Sequence, residues 1–155
     1  HFTEALLDRI RGIGIPVAAV TLHVGYGTFT PVEAEQIEDH TMDEEYFEIG
    51  AETAETINSA GRVVAVGTTS TRVLESIADE RGLIRPTSGS TGLYIYPGYR
   101  FRRVGALLPN FHLPKSSLFL LACAFGGREL MFSAYQRAIA EKYRFYSYGD
   151  CMFIT

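Results

Sequence analysis

The chain has 155 residues, 46% of them hydrophobic, with charges of both signs, enough to bury a core of its own. Its net charge of −4 argues against nonspecific coating of nucleic acid, although it leaves room for a local basic patch. No apolar run is long enough to span a bilayer and no signal peptide opens the chain, so the expectation is a cytoplasmic protein with one α/β domain over residues 1–155.

Thr3 can cap a helix over residues 4–11 that turns Leu6, Leu7 and Ile10 to one side and stops at Gly12. Residues 17–24 form a mostly apolar run with a period-two tail, the pattern of a strand, and His23 within it reads as a packed side chain. The run ends in Gly25-Tyr26-Gly27-Thr28-Phe29, where two glycines allow either close approach of a ligand or a tight turn. Thr41 and Glu44 have the spacing of a capping box, which predicts a helical turn with His40 exposed just before it. A short strand over 46–49 and a helix over 51–60 follow.

Residues 62–66 are a second buried strand, running into Gly67-Thr68-Thr69-Ser70-Thr71-Arg72 and a helix to about residue 80. A strand, one glycine and several hydroxyls at the start of a helix make an anion cradle, because unbonded backbone N–H groups and the helix dipole face the turn. Arg72 adds a fork for a carboxylate or phosphate. The plainer reading is helix capping by Thr69 or Ser70. Residues 82–92, rich in Ser, Thr and Gly, read as a loop or lid, and 93–96 as a strand. In Tyr99-Arg100-Phe101-Arg102-Arg103, basic and aromatic residues alternate. That suits either an RNA backbone with splayed bases or a strand with one solvated face.

A third buried strand over 106–108 leads through Pro109-Asn110-Phe111-His112-Leu113-Pro114 into an apolar helix over 116–125. Prolines at both ends stiffen this connection. It is either a ligand loop at the end of a sheet strand or a rigid crossover with one satisfied His. After Gly126-Gly127 a helix over 128–142 places Leu130, Ala134 and Ile139 among its apolar positions. An aromatic strand over 143–148, a turn at Gly149-Asp150 and a returning strand over 151–154 would close a hairpin. Cys123 and Cys151 have neither disulfide nor metal spacing. Alternating strands and helices predict an open, mainly parallel sheet with helices on both faces, in which 17–24, 62–66 and 106–108 share one sheet and their loops converge at its C-terminal edge.

Several long motifs occur in order: Thr21-Leu22-His23-Val24-Gly25-Tyr26-Gly27-Thr28-Phe29, Gly67-Thr68-Thr69-Ser70, Tyr96-Pro97-Gly98-Tyr99, Asn110-Phe111-His112-Leu113-Pro114 and Ser147-Tyr148-Gly149-Asp150. Together they resemble the S-adenosylmethionine:tRNA ribosyltransferase-isomerases of queuosine biosynthesis. The resemblance implies an α/β domain with an inserted β-barrel in proteins about twice this long. This chain, which opens at His1, would be the C-terminal part, without the barrel. It implies a reaction in which the ribosyl group of S-adenosylmethionine, the co-substrate, moves to the aminomethyl group of a 7-deazaguanine at the tRNA wobble position. The ribose is remade into an epoxycyclopentane, with adenine and methionine released and no metal needed.

The sulfonium acidifies the adjacent C5′ protons, so a base of near-neutral pKa can begin such a reaction, and His is the natural choice. On this resemblance His112 is the acid/base, and Asn110 orients the substrate. Thr68, Thr69, Ser70 and Arg72 hold the carboxylate end, while Gly25, Gly27 and Thr28 pass close to the nucleoside. Asp150 and His40 are further candidates, and Arg100, Arg102, Arg103 and Arg144 are candidates for tRNA contact. The family pattern has His at Asp43, Asp at Gly105 and Thr at Pro109. These departures keep open an alternative, a non-catalytic or diverged module that binds a nucleoside or tRNA.

Overall fold

The computed structural model describes residues 2–25 and 31–155. Gly27 and Thr28 lie outside the described residues. The elements are α1 (Glu4–Gly12), β1 (Thr21–Leu22), β2 (Glu45–Ile49), α2 (Ala51–Ser59), β3 (Val63–Val66), α3 (Thr68–Ile77), β4 (Thr87–Thr91), β5 (Val104–Leu108), α4 (Ser117–Gly126) and α5 (Arg128–Ala140).

The fold is α/β. β3 and β5 pair in parallel with Val66 opposite Leu108, and α3 packs against both of them as well as β4 and α4. β3 is not the buried strand expected, because it buries Ala65 and leaves Val64 and Val66 exposed. The run over 17–24 behaves differently from expectation. Only Thr21 and Leu22 are strand, and they pair antiparallel with β2, opposite Glu48 and Phe47. β2 pairs antiparallel with β4 on its other side, giving a three-stranded sheet separate from the parallel pair. β2 alternates strictly, with Glu45, Phe47 and Ile49 buried and Tyr46 and Glu48 exposed, so one face serves the core.

β4 is Thr-Ser-Gly-Ser-Thr, the stretch expected to be a loop. Its ladder to β2 supplies what its propensity lacks. The residues after it, 93–96 and 99–103, are not strands, and residues 41–44 form no helical turn. Residues 143–148 are not a strand either. The terminal segment pairs against the parallel sheet's end, Ile154 with Leu107 and Cys151 with Asn110, so no hairpin forms.

α4 is apolar nearly all round and correspondingly buried, and Ser116 caps it by accepting the Phe119 N–H at 3.1 Å. α5 buries Met131, Tyr135 and Ala138, spaced as one helical stripe. Leu130 and Ile139, two of the apolar positions named from the sequence, lie off that stripe and are exposed. α1 is capped by Thr3 as expected but buries no residue. Among the described residues no single helix is long and apolar enough to cross a membrane.

One buried carboxylate organises the approach to β5. Glu75, on α3 and 1% exposed, accepts the backbone N–H groups of Arg102 (2.7 Å), Arg103 (3.0 Å) and Val104 (2.8 Å) and the Tyr99 hydroxyl at 3.4 Å. Burial first, and then this carboxylate, push the Tyr99 phenol up to about 12. The side chains of the two arginines turn to helix ends. Arg102 donates to the Ala78 carbonyl just past α3, and Arg103 donates to the carbonyls of Ile57 and Ala60 at the end of α2. Cations there complement the helix dipole and satisfy terminal carbonyls.

Candidate functional site

The parallel pairing of β3 and β5 brings two loops together. Gly67, at the end of β3, has φ 87°, a conformation glycine adopts without strain, and its N–H donates to the Leu108 carbonyl at 3.0 Å. The start of α3 is thereby held against the strand that runs into Pro109 and Asn110. Neither Thr69 nor Ser70 caps this helix. Its cap position is Gly67, with no side-chain hydrogen bond, and the Thr71 hydroxyl bonds back to the Gly67 carbonyl at 3.0 Å. The first N–H groups of α3 lie at the positive end of the helix dipole without a side-chain acceptor, and Thr68 is buried there beside half-buried Thr69 and Ser70.

From β5 the chain passes through half-buried Asn110 to His112, which is 8% exposed. The His112 N–H donates to the Tyr135 hydroxyl at 3.0 Å, fixing the loop to α5. Burial pushes the imidazole down to about 4, so it is neutral at pH 7. This differs from the near-neutral value expected from the sequence, and the cause is the apolar packing around it. Phe111 meets Tyr135, Tyr143 and Phe145 at ring separations of 5.4, 5.6 and 5.7 Å.

The third loop is tied in by a residue that sequence reasoning missed. Glu45, 2% exposed, accepts the Gly25 N–H at 3.0 Å through one oxygen and the Arg72 Nη1 at 2.9 Å through the other. Arg72, equally buried, also donates from Nε to the Leu93 carbonyl at 2.9 Å. Burial lowers the Arg72 pKa and Glu45 opposes that shift. A carboxylate on the inward side of an otherwise apolar alternating strand was the available signal for Glu45. Beyond residue 30, Pro31 bridges Ser116 and the Val32 N–H donates to the Lys115 carbonyl at 2.8 Å. Lys115 has φ 62°, unusual for a residue with a side chain. A groove of about 530 Å³ opens here, lined by Pro31, Val32, Ala34, Ile37, Phe119 and Leu120 among others.

The remaining candidates have other local roles. Asp150 accepts the Arg144 N–H at 2.6 Å and both arms of its guanidinium at 3.1 Å, which holds its carboxyl below the usual range. The pair closes the loop that ends at Cys151, the bridge partner of Asn110. His40 is half-buried with its ring against Tyr94. Arg100 is exposed, whereas Arg102 and Arg103 are engaged at the helix ends. Gly105 is exposed and takes the Arg62 Nε on its carbonyl at 3.3 Å. Among the described residues no group of three His, Cys, Asp or Glu side chains is placed to hold a metal ion.

Comparison with known proteins places the chain in a family. A family described as queuosine biosynthesis protein matches residues 1–154. The S-adenosylmethionine:tRNA ribosyltransferase-isomerase of Syntrophus aciditrophicus is 65% identical over 154 residues, 99% of this chain and 42% of that protein. The protein of the same name from Caldanaerobacter subterraneus subsp. tengcongensis is 52% identical over 158 residues, 99% of this chain and 46% of its own length. The crystal structure of the S-adenosylmethionine tRNA ribosyltransferase of Thermotoga maritima superimposes with a TM-score of 0.79 at 36% identity, covering 100% of this chain and 50% of that one. The chain thus spans about half the length of the relatives it matches. By these matches it belongs to the queuosine biosynthesis protein family.

Proposed function

We propose that this chain carries the substrate-positioning and proton-transfer part of a cytoplasmic S-adenosylmethionine:tRNA ribosyltransferase-isomerase. That enzyme moves the ribosyl group onto 7-aminomethyl-7-deazaguanine at the tRNA wobble position, giving epoxyqueuosine and releasing adenine and methionine. One observation carries the reading. The uncapped start of α3 is hydrogen-bonded through Gly67 to Leu108, on the strand leading into Asn110 and His112, which supports an anion site on the imidazole's side of the fold.

In this reading the N–H groups and hydroxyls of Thr68, Thr69 and Ser70 take the methionine carboxylate, favoured by the helix dipole. Arg72 adds positive charge behind them and, through Glu45, holds Gly25 against the nucleoside. Asn110 orients the ribose. His112 is neutral in the resting site and can accept a proton from C5′, whose acidity the sulfonium provides. A buried imidazolium is a strong acid, so His112 is then well suited to return a proton to the departing adenine. Asp150 is assigned to shaping the loop beside Asn110, with Arg144. For tRNA we assign phosphate contact to Arg100, with the exposed side of Arg102 beside it.

The test uses this chain joined to the remainder of a full-length relative. Arg72→Ala should raise KM for S-adenosylmethionine more than it lowers kcat, because binding geometry is lost before chemistry. A loss confined to kcat, with KM unchanged, contradicts the assignment.

A further inference from the structure

Buried polar side-chain atoms in folded proteins nearly always have partners, and those without one call for a specific explanation. Two lie together here. The Nε2 of His40 and the hydroxyl of Tyr94 are both buried and have no hydrogen-bond partner among the described residues. Their rings meet edge-on, with centroids 5.1 Å apart. Tyr96 adds a third ring, 5.0 Å from Tyr94.

Along the chain, both residues lie next to residues of the site. His40 closes the turn Ile37–Asp39 with its N–H on the Ile37 carbonyl at 3.3 Å, and Ile37 lines the groove. Tyr94 follows Leu93, whose carbonyl receives Arg72. Burial raises the Tyr94 pKa, and Tyr96 and the Glu38 carboxylate act in the same direction, so the phenol keeps its proton.

We propose that His40 and Tyr94 form the recognition edge for a purine-type nucleobase, each exchanging one hydrogen bond with it while Tyr96 offers an aromatic contact. A phenol both donates and accepts, and a neutral imidazole nitrogen does one or the other, so the pair matches an edge with a donor beside an acceptor. Clustered aromatic rings favour a flat base over a sugar diol, which would satisfy the hydrogen bonds alone. The inference rests on the function proposed above, which offers two sources of such a base, the adenosyl group of S-adenosylmethionine and the 7-deazaguanine of tRNA.

The experiment titrates the 155-residue chain with adenine, S-adenosylmethionine, 7-aminomethyl-7-deazaguanine and D-ribose, following the His40 and Tyr94 ring signals by NMR. Tyr94→Phe is studied alongside. At least one base should shift both rings, and the responding probe identifies the source. Tyr94→Phe should weaken that binding about tenfold, the loss of one hydrogen bond, while raising the Tm of the ligand-free chain because an unpartnered buried hydroxyl is gone. A lowered Tm, an unchanged affinity, or ring shifts produced by ribose in place of the bases would each overturn the proposal. S-adenosylmethionine perturbing only Thr68 to Ser70, with neither base shifting the His40 and Tyr94 rings, overturns this inference and leaves the proposed function standing. No response to it anywhere counts against both.

Discussion

Replacing His112 by Asn should flatten the acid side of the chain's stability profile. In the folded chain the imidazole sits at about 4 against an ordinary 6.5, because burial disfavours its charged form. Below pH 6.5 the unfolded chain therefore takes up a proton that the folded chain refuses, and stability falls as the pH drops. The loss accumulates down to about pH 4 and goes no further below it, where both forms are protonated. Above pH 6.5 the group contributes no slope. Over the whole window the difference corresponds to about 3 kcal/mol, a large part of the 5–15 kcal/mol typical of a domain. Carboxylates such as Asp150 titrate in the same range, so the quantity to measure is the difference between wild type and His112→Asn. Urea unfolding at a series of pH values should show wild type losing about 3 kcal/mol more than the variant between pH 6.5 and 4. Parallel profiles would refute the claim that this imidazole is held neutral by its surroundings.

Glu75→Gln should cost about 3 kcal/mol in a denaturant melt, because an amide can offer only one oxygen to the three backbone N–H groups and the hydroxyl gathered there. A variant as stable as wild type would show that the carboxylate is dispensable. Arg103→Ala should lower stability by about 2 kcal/mol through the lost bonds to the end of α2. Arg100→Ala should leave stability alone and reduce the salt slope of tRNA binding by about one. Equal effects of Arg100→Ala and Arg103→Ala on both quantities would contradict that division.

What could be read from the chain before folding was whatever local pattern determines. The turn at Gly67, the stiff connection through His112 and the apolar helix after it all stand where their residues put them. Pairings decided at a distance were not readable. The stretch over 17–24 has the composition of a core strand, yet only Thr21 and Leu22 are strand, and they pair with β2. Thr-Ser-Gly-Ser-Thr has loop composition but becomes β4 because β2 presents an open edge to it. The alternation of Arg100, Phe101, Arg102 and Arg103 suggested a nucleic-acid surface. Two of those arginines also donate to carbonyls at the ends of α2 and α3, whose positions only the folded chain defines. Glu45 was passed over for the same reason, since its partners Gly25 and Arg72 come from separate segments.

The central claim is that a neutral, buried imidazole beside the open start of α3 moves the proton in the proposed reaction. Adenine release from S-adenosylmethionine, followed by chromatography with this chain joined to the rest of a full-length relative, tests it most directly. His112→Ala should lower turnover by roughly 10²–10⁴-fold, with little change in S-adenosylmethionine affinity. Normal adenine release by His112→Ala would contradict the account and make the imidazole a packing residue.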